Sequence, residues 1–176
     1  MKIIIVMVCS LNGKITKGAN PDVYAWSSKE DKHFFFSLVK KHNLIVMGSK
    51  TYQAVRKNLD LTQKKLRIVL TKNPKKYSAQ VIAGKLEFTN ETPKRLAGRL
   101  RQQGYKSMLL LGGGVVNALF LKAGLVDELR LVVEPLIFGS GQPLVAEGHF
   151  NSSLTLVSHK LLNKNGTLLL IYKVNK

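Results

Sequence analysis

Met108-Leu109-Leu110-Leu111-Gly112-Gly113-Gly114-Val115-Val116-Asn117 carries four apolar residues into three glycines and then into a segment with an apolar face. Met108–Leu111 reads as a buried strand and Val115–Lys122 as the helix after it. Glycines lack a Cβ, so backbone N–H groups there can approach a pyrophosphate closely, and the positive end of the next helix favours the anion. Gly112, Gly113, Gly114, Val115 and Val116 are therefore candidate backbone contacts to a dinucleotide. Three consecutive glycines are not the spaced Gly-x-Gly-x-x-Gly fingerprint, and alone they also suit a tight strand-to-helix turn.

A second junction of the same kind lies upstream, at Val46-Met47-Gly48-Ser49-Lys50-Thr51-Tyr52. Gly48, two hydroxyls (Ser49, Thr51) and Lys50 stand there where a helix begins, and two such junctions in one sheet suit an elongated dinucleotide. Ser and Thr are also ordinary helix caps. Arg67-Ile-Val-Leu-Thr71-Lys72 ends a third strand in a hydroxyl and a cation, the groups that bind a ribose 2′-phosphate. That pair favours NADPH over NADH, and it equally fits a solvated strand end on a basic protein.

Around these junctions, apolar β-branched runs alternate with helix-like stretches: Ile3–Val8, Ser28–Lys41, Leu44–Met47, Tyr52–Lys57, Leu66–Leu70 and Thr92–Gln103, ahead of the glycine segment. The alternation predicts crossover units, a largely parallel sheet and a single α/β domain. Ser27 or Ser28 before Lys29-Glu30-Asp31 and Thr92 before Pro93 are helix starts, and Gly104 is a stop. After Asp127, Glu128–Glu134 reads as a strand, and Leu154–Leu162 with Thr167–Val174 as a hairpin around Asn163-Lys164-Asn165-Gly166. The sheet therefore gains an antiparallel edge. Two long loops remain, Lys17–Trp26 and Pro135–Phe150, and loops that long often cover a site.

With 45% hydrophobic residues over 176, the chain can bury a sizeable core. Lys, Asn or Gly interrupts every apolar stretch short of the roughly 18 residues that span a membrane, so a soluble protein without membrane partners is expected. Lys2–Cys9 lacks the small-residue cleavage site of a secretory signal, and the single cysteine, Cys9, suits a reducing cytoplasm. A net charge of +18 suits either a nucleic acid or a polyanionic small molecule. Its basic residues are scattered and no recognisable nucleic-acid module accompanies them, so no nucleic-acid partner is expected. The four histidines are dispersed and Cys9 has no neighbour at ligand spacing, so no metal site is predicted.

Trp26-Ser27-Ser28-Lys29-Glu30-Asp31 sets an aromatic ring ahead of a helix and a carboxylate in its first turn, with Phe35 one turn on. An acid beside aromatics can orient and protonate a heterocycle; it also suits the helix dipole without any function.

Together these segments, with Ser10-Leu11-Asn12-Gly13-Lys14-Ile15, Gly124–Leu129, Pro135 and Phe138-Gly139-Ser140-Gly141, resemble the dihydrofolate-reductase-like superfamily along the whole chain. The similarity is greatest to stand-alone reductases resembling the C-terminal reductase domain of the riboflavin-biosynthesis deaminase/reductase. It implies a three-layer α/β/α fold and NADPH lying across the strand ends. The pyrophosphate would sit at Gly112–Val116 and the adenine-side phosphates near Ser49, Lys50, Thr51, Thr71 and Lys72. Val8 and Asn12–Ile15 would border the nicotinamide, and Lys17–Trp26 would close over it. Asp31 matches the acid that contacts the pterin. Asn12 is expected to bond substrate or cofactor, Trp26 and Phe35 to flank the substrate, and Ser27 or Ser28 to hold its ribityl or phosphate group. The resemblance also implies a homodimer, with Leu129–Val133 or Leu168–Ile171 as candidate interface.

The chain departs from the riboflavin-pathway relatives at Asn12 and Leu111, where they carry acids, and at Ala54-Val55-Arg56-Lys57, where they carry an Asp-Pro segment. Hydride transfer from NADPH to a small pyrimidine- or pterin-like compound is the activity expected. Dihydrofolate reduction, and a non-catalytic module that binds nucleic acid or an acidic partner on the same fold, are the alternatives.

Overall fold

All 176 residues are described by a computed structural model. Eight strands join one sheet: β1 (Lys2–Ser10), β2 (Leu44–Gly48), β3 (Leu66–Leu70), β4 (Leu86–Thr89), β5 (Ser107–Leu110), β6 (Glu128–Glu134), β7 (Leu154–Leu161) and β8 (Leu168–Val174). Their spatial order is β4-β3-β2-β5-β1-β6-β8-β7, with every pair parallel from β4 to β6. Only β8 runs against its neighbours, pairing antiparallel with β6 and β7. The mostly parallel α/β architecture with an antiparallel C-terminal hairpin is thus the observed one.

The helices are α1 (Lys29–Lys41), α2 (Ser49–Val55), α3 (Pro93–Gln102) and α4 (Gly114–Lys122). Parallel strands covered on both faces must be apolar on both faces, and the central strands obey this. Ile3, Ile5, Val46, Ile68 and Leu110 meet α3 and α4 through Leu96, Leu100, Val116 and Phe120. Ile4, Val6, Ile45, Met47, Val69 and Leu109 face the other way, with Leu38 of α1, Tyr52 of α2 and the buried rings of Tyr77 and Phe88.

Helix starts follow the cap chemistry. Ser28 Oγ accepts the Asp31 N–H at 3.2 Å and Thr92 Oγ1 accepts the Arg95 N–H at 3.4 Å, so each hydroxyl residue stands just outside its helix. The second helix begins at Ser49, three residues before its expected start at Tyr52, because β2 stops at Gly48 and the turn follows at once. It ends at Val55, and Arg56–Asn58 continue as a single 3-10 turn. Three elements carried no expectation: β4, the 3-10 stretch Pro74–Gln80 that leads towards it, and the short 3-10 turn Val23–Ala25 inside the first long loop.

The strands considered for a dimer interface, β6 and β8, have both edges paired. Of the two edge strands, β4 and β7, it is β7 that carries exposed apolar side chains: Leu154, Leu156, Val157 and Leu161 all face solvent. No helix is long and apolar enough to cross a membrane.

Candidate active site

A cleft of about 1120 Å³ runs along the C-terminal ends of the parallel strands and down between α1 and α2. Single-ligand pockets hold roughly 300–1000 Å³, so this one has room for a dinucleotide and a small second molecule together.

One end is built from the two strand-to-helix junctions. Gly48, Ser49, Lys50, Thr51, Gly113, Gly114, Val115 and Val116 all line it. Gly48 N–H donates to the Gly112 carbonyl at 2.7 Å, which ties the two turns together, and the Gly112–Gly113 peptide is cis. A Cβ placed on Gly113 would lie 3.6 Å from both Ile15 and Thr51 Oγ1, so this backbone faces the cleft between a hydroxyl and an apolar side chain. The first-turn N–H groups of α4 have no intrahelical acceptors, as in any helix. Thr71, Lys72 and Lys76 line the same end beyond Thr51. Unspent backbone donors, hydroxyls and cations therefore converge where a pyrophosphate and a ribose phosphate would need them. The residues fit a phosphorylated dinucleotide.

Two of the three glycines also have a second reason to be glycine. Gly112 has φ +70° and a Cβ there would lie 2.9 Å from Met7 Sδ; at Gly114 it would lie 2.3 Å from the Pro143 carbonyl oxygen. Gly112 itself does not line the cleft.

The middle of the cleft is lined by Met7, Val8, Ile15, Asp31, Phe34 and Phe35. Asp31 is 7% exposed. Burial pushes its carboxyl up to about 6; the Ser27 hydroxyl and Lys32 oppose the shift, while the charge of Glu134 adds to it. Glu134, which no local pattern flagged, is buried at the end of β6. Its carboxylate accepts the Ser28 N–H and the Thr167 hydroxyl, both at 2.7 Å, and so fastens the start of α1 to β6 and β8.

Over this region lie two loops stitched to each other. Ile15 N–H donates to Gln142 O at 2.8 Å, Gln142 N–H to Thr16 Oγ1 at 2.8 Å, and Gly18 N–H to Ser140 O at 3.0 Å. Thr16, Gly18, Ala19, Pro21, Val23 and Tyr24 of the first loop border the cleft.

Four residues expected at the substrate stand outside the lining. Asn12 clamps the second loop: its Nδ2 donates to Phe138 O at 2.8 Å and its Oδ1 accepts the Phe138 N–H at 3.1 Å. Trp26 packs edge-on against Phe138, with ring centroids 5.2 Å apart. Ser27 is buried beneath, and Ser28 is spent as the cap of α1. In the other direction, the cleft reaches a lobe that drew no expectation, containing Phe36, Val39, Leu59, Gln63 and Arg67. The signal available for it was Arg67 as the one charge inside an apolar strand.

A largely parallel sheet covered on both faces, an antiparallel β8 and a glycine turn opening onto a cleft make up a dihydrofolate-reductase-like fold. The chain belongs to the RibD C-terminal domain family, which matches residues 1–168. It is 26% identical over 182 residues to the uncharacterized protein YyaP of Bacillus subtilis (strain 168), spanning 99% of this chain and 95% of that one. Its fold is similar to that of a putative riboflavin biosynthesis protein from Shewanella sp. PV-4, with a TM-score of 0.75 at 22% identity over 100% of both chains. Dihydrofolate reductase from Enterococcus faecalis, complexed with NADP(H) and RAB-propyl, gives 0.71 at 20% identity over 99% of this chain and 97% of that one.

Proposed function

We propose that the protein is an NADPH-dependent reductase acting on a small pyrimidine- or pterin-like heterocycle, like the 5-amino-6-(5-phosphoribosylamino)uracil reductases of riboflavin biosynthesis. One observation carries this above the others: a single cleft joins a dinucleotide-shaped end to a buried carboxyl set among aromatic rings. NADPH, when bound, supplies the hydride. The backbone of Gly113–Val116 and the side chains of Ser49, Lys50, Thr51, Thr71 and Lys72 would hold it, with Val8 and Ile15 against its reactive end.

Asp31 meets the acceptor from the opposite wall. A carboxyl titrating near 6 is mixed in protonation at neutral pH, so it can both accept a hydrogen bond from a ring N–H and deliver a proton to a ring nitrogen. Phe34 and Phe35 supply apolar walls that restrict the ring. The stitched loops exclude water, which strengthens both contacts. A homodimer belongs to the same proposal, with the exposed side chains of β7 as the available surface; sedimentation velocity tests it.

Asp31→Ala tests the assignment. A positioned acid contributes about 10²–10⁴ in rate, so turnover should fall at least about 100-fold while NADPH affinity stays within about twofold. Equal loss of turnover and NADPH affinity would refute Asp31 as the group that meets substrate.

A further inference from the structure

Two carboxyls are buried at the start of α1, Asp31 in its first turn and Glu134 at the end of β6, and neither belongs to an ion pair. Like charges in one water-poor place oppose each other's ionisation, so one member of such a pair keeps a proton that an exposed carboxyl would lose. The direction of the hydrogen bonds decides which.

Glu134 is 4% exposed, and both of its oxygens are acceptors. Oε1 accepts the Ser28 N–H and Oε2 the Thr167 hydroxyl, each at 2.7 Å. A backbone N–H can only donate. A hydroxyl can turn either way, and here Asn163 fixes it. Asn163 Oδ1 accepts the N–H groups of Asn165 at 3.1 Å and Thr167 at 3.2 Å, which identifies the other terminal atom as the amide nitrogen. That Nδ2 donates to Thr167 Oγ1 at 3.0 Å, and Glu134 is the one acceptor bonded to the same hydroxyl, so the hydroxyl proton is directed at Glu134. A carboxyl that accepts on both oxygens is the ionised member. Two charge-assisted bonds and the positive end of α1 stabilise its charge.

Asp31 has no such partners. The buried Ser27 hydroxyl acts on it without reaching hydrogen-bond geometry. The charged and titratable groups that face it are Lys32 on its own helix, Tyr24 from the first loop and Glu134 from β6. Lys32 is turned towards the loop, where its Nζ donates to Tyr24 O at 3.0 Å. Of the two carboxyls, Asp31 is therefore the one left to hold the proton.

We propose that Glu134 is a positioning residue: it is the standing anion of a two-carboxyl pair, keeps the proton of that pair on Asp31, and anchors the Asp31 turn to β6 and β8 through Ser28 and Thr167. The turn Asn163–Gly166, expected only as a hairpin connection, reaches the site by orienting Thr167. That Asp31 then gives its proton to a ring nitrogen, and is reprotonated from solvent, rests on the reductase reading above; the pair itself does not.

The test needs no turnover. Side-chain carboxyl carbons are followed by ¹³C NMR against pH in the full-length protein, with Asp31→Asn and Glu134→Gln assigning the two signals. In the wild type, Asp31 should titrate at about 6 while the Glu134 signal stays at its ionised position through that transition. Glu134→Gln keeps the shape and removes the charge, so the Asp31 midpoint should move down by about half a unit or more. Glu147→Gln, at an exposed carboxylate on the second loop, should leave it in place. A Glu134 signal that moves with Asp31, or before it as pH falls, would overturn the proposal; so would an Asp31 midpoint unmoved in folded Glu134→Gln, or moved equally by Glu147→Gln. The first of these is read on the wild type and does not depend on the variant folding. Turnover against pH reports on the reductase reading separately. In Glu134→Gln the pH above which turnover falls should come down with the Asp31 midpoint, and a profile that stays put while the midpoint moves would count against the use of that proton in reduction, not against the pair.

Discussion

Gly114→Ala places a methyl group where the structure leaves no room for one. The new Cβ would lie 2.3 Å from the Pro143 carbonyl oxygen and 3.2 Å from the Ala146 nitrogen. Both neighbours are backbone, so rotamer change cannot relieve the clash, and the 143–146 segment must move by about 1 Å to reach ordinary contact. That segment is held by Ala146 N–H to Gly114 O at 3.0 Å, Leu144 N–H to Gly13 O at 2.9 Å and Asn117 Nδ2 to Leu144 O at 2.8 Å. Overpacking costs about 1–3 kcal/mol and a weakened bond about 1 more. The alanine returns about 0.4–1 kcal/mol by restricting the unfolded chain. The net loss is about 2–3 kcal/mol, which for a chain of this size lowers Tm by roughly 5–10 °C. Gly98→Ala is the control, because this helical glycine on α3 has nothing within 4 Å of its would-be Cβ. It should gain about 0.4–1 kcal/mol. Scanning calorimetry on the wild type and both variants reads the two signs directly. If Gly114→Ala melts with or above the wild type, the packing of the second loop on the glycine turn is wrong.

Other consequences follow from the site. Asp31 has a folded pKa raised above its unfolded value, so its ionisation costs stability as pH rises through about 6 and costs nothing below about pH 4. Asp31→Asn should therefore stabilise the fold by on the order of 2–3 kcal/mol at pH 8 and by little at pH 4 in thermal melts; equal effects at both would count against the buried acid. Asn12→Ala removes both clamps on Phe138 and should cost about 1–3 kcal/mol while opening the 135–150 loop to limited proteolysis, with wild-type cleavage rates as the contrary result. Lys72→Gln should weaken NADPH by about 10-fold or more and leave NADH unchanged in binding titrations; parallel losses would remove Lys72 from the 2′-phosphate.

Most of the sheet was legible because parallel strands buried on two faces must be continuous apolar runs, and Leu44–Met47, Leu66–Leu70 and Met108–Leu111 are such runs. β4 escaped since Leu86-Glu87-Phe88-Thr89 is four residues long and alternates, which is too brief a period to separate from a loop. The glycine-turn end of the cleft was legible for the same reason as the strands: its hydroxyls, lysines and glycines sit where strands stop. The residues expected at the substrate were harder. Trp26 and Asn12 are placed by Phe138, which is far along the chain, and Glu134 reaches Ser28 only because β6 lies beside β1. Local sequence carries no trace of such partners. Arg67 did carry one, a charge inside a buried strand, and its meaning depended on the cleft beside it.

Fluorescence titration of the purified protein with NADPH and NADH at moderate salt bears most directly on the central claim. Saturable binding of NADPH, at least about tenfold tighter than NADH as one charged hydrogen bond to the 2′-phosphate requires, is the expected result. Absence of binding by either cofactor would contradict it and leave the fold without the reductase chemistry.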